Sequence, residues 1–368
     1  MSGAWARIAR AISGSLVGPP PWRMFQIRMR TRVSGGGGRL VLLAMTQSDT
    51  SRTVVITREL PGDIVVPGYA VKPGPAKKPT RAELLAMVGG ASVVVTMYTD
   101  RVDDEFLDAA GPGLRGVCQF AVGVDNIDRE ACRRRGVVVT NTPDAVTDGT
   151  ADLAWALILA VARRIPVADR YTRSPAYPAG GHLSMAAQLG MELTGRTLLI
   201  VGAGRIGYAT AIRSLGWGMR VEYVARTRHA DFEAGPLVAK RVELEDGLRR
   251  ADVVSLHTPL TPETRHLMNE RTLGLMKPDA MLINTARGPV VDEAALAACL
   301  KVGRIWGAGL DVYEREPEVH PELLGLDNVV LTPHVGSANR LSRGMMTRMV
   351  EANVRAIVAG ERPPNLLA

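Results

Sequence analysis

Ten short apolar runs, three to five residues long and rich in β-branched side chains, recur along the chain. They are Thr53–Thr57, Ser92–Thr96, Gly116–Phe120, Val137–Thr140, Thr197–Val201, Val221–Val224, Asp252–Leu256, Met281–Asn284, Gly307–Asp311 and Val329–Leu331. Continuous runs of this kind suit strands buried on both faces, which is what a parallel sheet requires. Helical patterns fill most of the gaps, among them Arg81–Met87, Asp103–Ala110, Arg205–Leu215 and Asp292–Lys301. Strand alternating with helix predicts an α/β fold of doubly wound parallel sheets. No internal repeat of fixed period is visible.

A helix-start signal at Asp148 opens four apolar-rich turns that run through Leu153–Ala162. That run has about ten residues, too few to span a membrane. A helix of this length can bridge two domains. The expected division is residues 45–145 as a substrate domain, completed by 337–368, and 146–336 as a second domain. The amphipathic stretch Leu341–Ile357 is expected to pack back on the first domain, with Met345, Met346 and Met349 as core filler. The active cleft is then expected between the domains.

Charge narrows the partners. The 368 residues carry a formal +8, which taken alone points to nucleic acid or an acidic membrane. Residues 1–44, however, hold seven arginines and no Asp, Glu or Lys. Without them 38 basic residues face 37 acidic ones, a net of +1. A nucleic-acid or membrane partner is therefore not expected. The leader, with Gly35–Gly38 and Pro19–Pro21, is expected to be disordered. Three readings of it stay open: an organellar targeting peptide, a basic binding tail, or sequence upstream of a start at Met45. The first strand-like run begins soon after Met45, which favours the last and a cytoplasmic location. Cys118, Cys132 and Cys299 lie far apart, with neither disulfide nor zinc-site spacing. No metal site is expected.

The run Thr197–Val201 leads straight into Gly202-Ala-Gly204-Arg-Ile-Gly207 and then a helical pattern. Gly202 suits the tight turn, Gly204 the approach of a pyrophosphate, and Gly207 close helix–strand packing. The helix N-terminus, at Arg205 and Ile206, offers free N–H groups to phosphates. This predicts a dinucleotide site. The next strand ends at Ala225, where a carboxylate for the ribose 2′-OH of NAD is usual. Arg226, Thr227 and Arg228 follow. They suit a 2′-phosphate, so NADP(H) is the expected cofactor and NAD(H) the alternative.

Several further stretches occur in a characteristic order. They are Ala121-Val-Gly-Val-Asp-Asn-Ile-Asp128, Thr140-Asn-Thr-Pro143, Thr150-Ala-Asp-Leu-Ala-Trp155 and His257-Thr-Pro-Leu-Thr-Pro-Glu-Thr-Arg265. Then come Asn284-Thr-Ala-Arg-Gly288, Leu310-Asp-Val-Tyr-Glu-Arg-Glu-Pro317 and Thr332-Pro-His-Val-Gly-Ser337. With the glycine turn they make residues 52–368 resemble the D-isomer-specific 2-hydroxyacid dehydrogenases, in particular the glyoxylate/hydroxypyruvate reductase branch. The resemblance implies a flavodoxin-like substrate domain beside a Rossmann NAD(P)-binding domain, and a homodimer formed through the cofactor domains. The implied activity is reduction of glyoxylate to glycolate and of hydroxypyruvate to D-glycerate. The alternatives are another D-2-hydroxyacid dehydrogenase, or a non-catalytic NAD(P)-sensing protein like the corepressor relatives.

The implied catalytic residues are Arg287, Glu316 and His334. The chemistry supports each: a 2-oxo acid needs a bidentate cation for its carboxylate, and Arg287 follows a strand at its carboxyl end. Reduction needs a proton donor, for which histidine is suited, and Glu316 would orient the ring and favour its charged form. The resemblance places the substrate carboxylate at the backbone of Val122 and Gly123, with Met97 and Tyr98 as the pocket wall. It places Thr258, Pro259, Thr285, Ala286 and Gly336 along the cofactor, and Asp311 at the nicotinamide carboxamide. Asp125 and Asn126 are expected to cap turns, and His182, His229, His266 and His320 to be loop or surface positions. Two segments depart from the family: residues 60–80, Pro/Gly-rich where a first helix is usual, and 174–190, which lacks a common tryptophan-containing stretch.

Overall fold

The strands alternate which core they feed. Val54 and Ile56 face one apolar cluster and Val55 another, while Leu198 and Ile200 are likewise divided from Leu199 and Val201. Both faces of each sheet are therefore covered, as parallel strands demand. The computed structural model describes residues 52–367; the expectations for the 1–44 leader lie outside the described residues.

Two parallel sheets result. The smaller has β1 (Thr53–Ile56), β2 (Ala70–Lys72), β3 (Val93–Thr96), β4 (Gly116–Gln119) and β5 (Val138–Thr140) in the order β2-β1-β3-β4-β5. The larger has β6 (Thr197–Val201), β7 (Arg220–Val224), β8 (Lys240–Arg241), β9 (Val253–Leu256), β10 (Met281–Asn284), β11 (Gly307–Leu310) and β12 (Val329–Leu331), ordered β12-β11-β10-β9-β6-β7-β8. The first is the flavodoxin-like order and the second the Rossmann order extended by one strand. Val54 stands opposite Val93 in the small sheet and Leu198 opposite Val253 in the large one. Those two pairings mark the places where strand order reverses, and crevices form beyond the strand ends there.

Two edge strands escape the run-based reading. β2 and β8 are short and partly exposed, so neither needs a continuous apolar run. β2 explains residues 60–80: no helix stands there, and the segment instead returns as a parallel edge strand, burying Ile64 and Val66. Helix Thr147–Ala162 packs on β10, β11 and β12, while helix Arg340–Ala359 packs on β3, β4 and β5. Met346 of the latter is buried, and Met345 and Met349 are partly so. Residues 174–190 form one short helix, Ala176–Gly180, and turns; Leu183, Met185 and Leu189 stand exposed. Among the described residues no helix is long and apolar enough to cross a membrane.

Candidate active site

A cleft of about 820 Å³ lies between the two sheets, lined from the small sheet by Met97, Tyr98, Val122 and Gly123 and from the large one by Thr258, Thr285, Arg287 and His334. His334 reaches it from the turn after β12. Its backbone is left-handed (φ 54°), a conformation that costs a non-glycine residue roughly 1 kcal/mol. The His334 N–H donates to the Asp311 carbonyl at 2.8 Å, which holds the turn. The ring Nδ1 lies 2.8 Å from Glu316 Oε2, and Glu316 Oε1 accepts from the Tyr313 N–H at 3.1 Å. A carboxylate fixed this way selects the tautomer with the proton on Nδ1 and leaves Nε2 for exchange with a substrate. Tyr98 covers the imidazole, its ring centroid 4.2 Å away. Burial, then the Glu316 charge, pushes the Tyr98 hydroxyl up, while Arg58 and Arg343 pull it down.

Arg287 follows β10, where the buried Asn284 side chain bonds both the Ala286 N–H (3.0 Å) and the Arg287 carbonyl (2.9 Å). Arg287 Nη1 donates to the Ala286 carbonyl at 2.8 Å, and Nε donates to Asp125 Oδ1 at 3.0 Å. Asp125, expected from the sequence to cap a turn, instead reaches across the cleft to this guanidinium. The pairing joins residues 162 positions apart, and nothing local in the sequence announces it. Asn126, expected likewise to cap a turn, instead donates to the carbonyls of Met97 and Asp100, in the loop after β3. The third guanidinium nitrogen, Nη2, lies directly over Gly123: a Cβ there would sit 1.7 Å from it. Glycine at position 123 is thus what lets the Arg287 guanidinium close over the loop after β4.

Beyond β6 the glycine turn has the form a dinucleotide needs. Gly202 is at φ 107°, and a Cβ on it would meet the His257 carbonyl group at 2.7 Å. A Cβ on Gly207 would lie 2.2 Å from the Gly202 carbonyl oxygen, so the helix can start only this close with glycine. Gly204 faces open space and is the N-cap of helix Arg205–Arg213, which no side chain caps. Its leading N–H groups therefore face the site with a positive helix end. Ile206, Thr258, Pro259, Thr285, Ala286 and Gly336 line the same cleft. Thr258 and Thr285 each bury a hydroxyl with no partner, as expected where a polar ligand completes the bonding. These features fit a dinucleotide cofactor.

Arg226, Thr227 and Arg228 are exposed past β7. Arg228 is engaged by Glu233 at 2.8 Å, which itself accepts from Tyr223, so Arg226 is the less committed cation. A third guanidinium escapes the sequence reading: Arg241, from the short β8, donates to the carbonyls of Ala225 and Arg226 and fixes this turn. Arg205, at the start of the glycine-turn helix, pairs with Asp144 at 2.7 Å. Asp311 is almost fully buried and accepts from Thr332 Oγ1 and from the N–H groups of Val335 and Gly336. Burial pushes its carboxyl up, and these donors oppose that. It caps the strand end and also lines the cleft. His257 lines the cleft too, with Nε2 2.8 Å from Ser255 Oγ, and burial pushes it down to about 3, so it is neutral at physiological pH. His266 is held by Glu314 at 2.6 Å outside the cleft lining. Among the described residues no cluster could hold a metal ion.

Residues 155–336 match the family model for the D-isomer specific 2-hydroxyacid dehydrogenase NAD binding domain. The chain is 50% identical to a glyoxylate reductase of Thermococcus litoralis over 290 residues, 78% of this chain and 86% of that one. It is 49% identical to a glyoxylate reductase of Pyrococcus horikoshii over the same shares. Its fold superposes on the TT0316 protein of Thermus thermophilus with a TM-score of 0.80, 44% identity, 86% of this chain and 100% of that one. It also superposes on the NADPH-dependent glyoxylate/hydroxypyruvate reductase of Sinorhizobium meliloti in complex with NADP and malonate, with a TM-score of 0.75, 30% identity and coverages of 86% and 97%. Two parallel sheets in these strand orders, a glycine turn at one switch point, and 50% identity over 290 residues to a glyoxylate reductase lead to one conclusion: the chain belongs to the D-isomer specific 2-hydroxyacid dehydrogenase family.

Proposed function

We propose that the chain is an NADPH-preferring reductase of small 2-oxo acids, taking glyoxylate to glycolate and hydroxypyruvate to D-glycerate. The carrying observation is that His334, held by Glu316, and Arg287 line the same cleft as Ile206 of the glycine turn. A nicotinamide held in this cleft would supply the hydride for the carbonyl carbon. Arg287 holds the substrate carboxylate with the backbone N–H groups around Val122 and Gly123, and polarises the carbonyl. His334 gives its Nε2 proton to the oxygen as the carbonyl electron pair moves there, and Glu316 stabilises the imidazolium beforehand. Met97 and Tyr98 wall the pocket. Gly202, Gly204, Arg205, Ile206 and Gly207 hold the pyrophosphate; Thr258, Pro259, Thr285, Ala286, Asp311 and Gly336 line the remainder of the cofactor. Arg226, with Thr227 and Arg228, receives the 2′-phosphate. Exposed Ile165, Leu183, Met185 and Leu189 supply apolar surface for a homodimer.

The test compares kcat/KM for NADPH and NADH with glyoxylate and with hydroxypyruvate. A higher value with NADPH supports the reading, and a higher value with NADH overturns the cofactor preference. Failure to reduce either acid overturns the activity.

A further inference from the structure

The cleft holds more positive charge than one carboxylate needs. Arg58 and Arg343 both line it, both are partly buried, and neither has a carboxylate partner among the described residues. Arginines elsewhere on this chain are commonly paired, as Arg213 is with Asp148 and Asp152 and Arg250 with Glu222. The nearby acids are held by other groups: Asp125 by Arg287, Glu316 by His334 and Asp311 by three hydrogen-bond donors, while Glu59 is exposed at the rim. Two half-desolvated cations facing one cavity repel each other, and an anion between them relieves both costs.

Their placement is built. Arg58 stands two residues past β1, at the β1/β3 crossing where a flavodoxin-like sheet opens its ligand crevice. Thr57 anchors the turn by donating to the Val95 carbonyl at 3.1 Å. The unusual 60–80 segment braces it: a Cβ on Gly74 would lie 2.3 Å from the Arg58 nitrogen, and Glu59 N–H donates to the Pro75 carbonyl at 3.0 Å. Arg343 stands in the first turn of helix Arg340–Ala359, whose N-cap Asn339 accepts from the Ser342 N–H at 2.8 Å. Both arginines line the same cleft as Tyr98, whose ring covers His334.

We infer that Arg58 and Arg343 form a second anion subsite, and that the best substrates are 2-oxo acids carrying another anionic group, carboxylate or phosphate, beyond the carbonyl. This rests on the reductase reading above. Arg287 then takes the carboxylate beside the carbonyl and the pair takes the distal group; glyoxylate leaves the subsite to water.

The experiment measures kcat/KM for two matched pairs, 2-oxosuccinate against its 4-amide and phosphohydroxypyruvate against hydroxypyruvate, in wild type, Arg58→Gln and Arg343→Gln. Cofactor affinity and thermal midpoint confirm that each variant is folded. Wild type is expected to favour the dianion in at least one pair by about tenfold or more, and each variant to lower that ratio by about tenfold. The pair that responds identifies the distal anion. Reduction of 2-oxo acids with ratios unchanged in both variants overturns the subsite and leaves the reductase reading intact. Reduction of none of the acids overturns both. A variant that does not fold is replaced by Arg→Lys at the same position, which keeps the charge but loses the fork, and a fall in the ratio is again required.

Discussion

The contact between Gly123 and Arg287 supports a sharp prediction. Gly123→Ala adds one methyl group and changes no charge, and Gly123 is not in the left-handed region, so the backbone accepts alanine. The added Cβ would lie 1.7 Å from Arg287 Nη2 and 2.8 Å from Cζ. Restoring an ordinary contact near 3.4 Å requires the guanidinium to move about 1.7 Å. Displacements of about 1 Å at a reacting centre cost on the order of 100-fold, so kcat/KM for 2-oxo acids should fall by at least about 100-fold. The obstacle is the end of a flexible side chain, so the fold should keep its stability and can gain a few tenths of a kcal/mol from the lost glycine entropy. Steady-state kinetics with saturating cofactor, cofactor titration by fluorescence and a thermal melt measure the three quantities. A kcat/KM within about threefold of wild type would refute the packing of Arg287 on this loop. A comparable loss of cofactor affinity would refute its assignment to the substrate side.

Other consequences follow from the same geometry. Arg226→Ala should lower the NADPH/NADH ratio of kcat/KM by about tenfold, and more than Arg228→Ala does, because Glu233 already engages Arg228. Asp311→Ala leaves Thr332, Val335 and Gly336 without their acceptor and should destabilise the chain by about 3 kcal/mol or more, read from the urea midpoint. His257 sits at about 3 when folded against 6.5 ordinarily, so the folded chain binds fewer protons than the unfolded chain between those values. Its contribution to stability is therefore complete above pH 6.5 and declines as the pH falls toward 3, by up to about 1.4 kcal/mol per pH unit. His257→Asn should flatten that part of the stability–pH curve, and an unchanged slope would count against a buried neutral imidazole.

Legibility in the sequence followed the range of the interactions. The central strands could be read because burial on both faces leaves no choice but apolar residues, as in Leu198–Val201. Edge strands β2 and β8 could not, since exposure removes that pressure. The glycine turn and the His334 loop are local motifs, and their backbone geometry follows from adjacent residues. What stayed hidden depends on closure of the chain: Asp125 on Arg287, Arg241 under the Arg226 turn, and Arg58 sharing a cleft with Arg343. Each joins separate elements through side chains whose types are common on any surface. The 60–80 segment shows the same limit, because its Pro/Gly content suggested a departure without showing that Gly74 props the turn at Arg58.

The central claim is that this cleft reduces a 2-oxo acid with His334 as the proton donor. Its most direct test follows the loss of reduced-nicotinamide absorbance with glyoxylate, using each cofactor, for wild type and His334→Asn, with deuterium-labelled cofactor to trace the transferred hydrogen. Wild type is expected to turn over and place deuterium on the product carbon that was the carbonyl, and His334→Asn to lose about 100-fold or more in kcat. A wild type that consumes neither cofactor, or a His334→Asn variant that keeps wild-type kcat, would contradict the account.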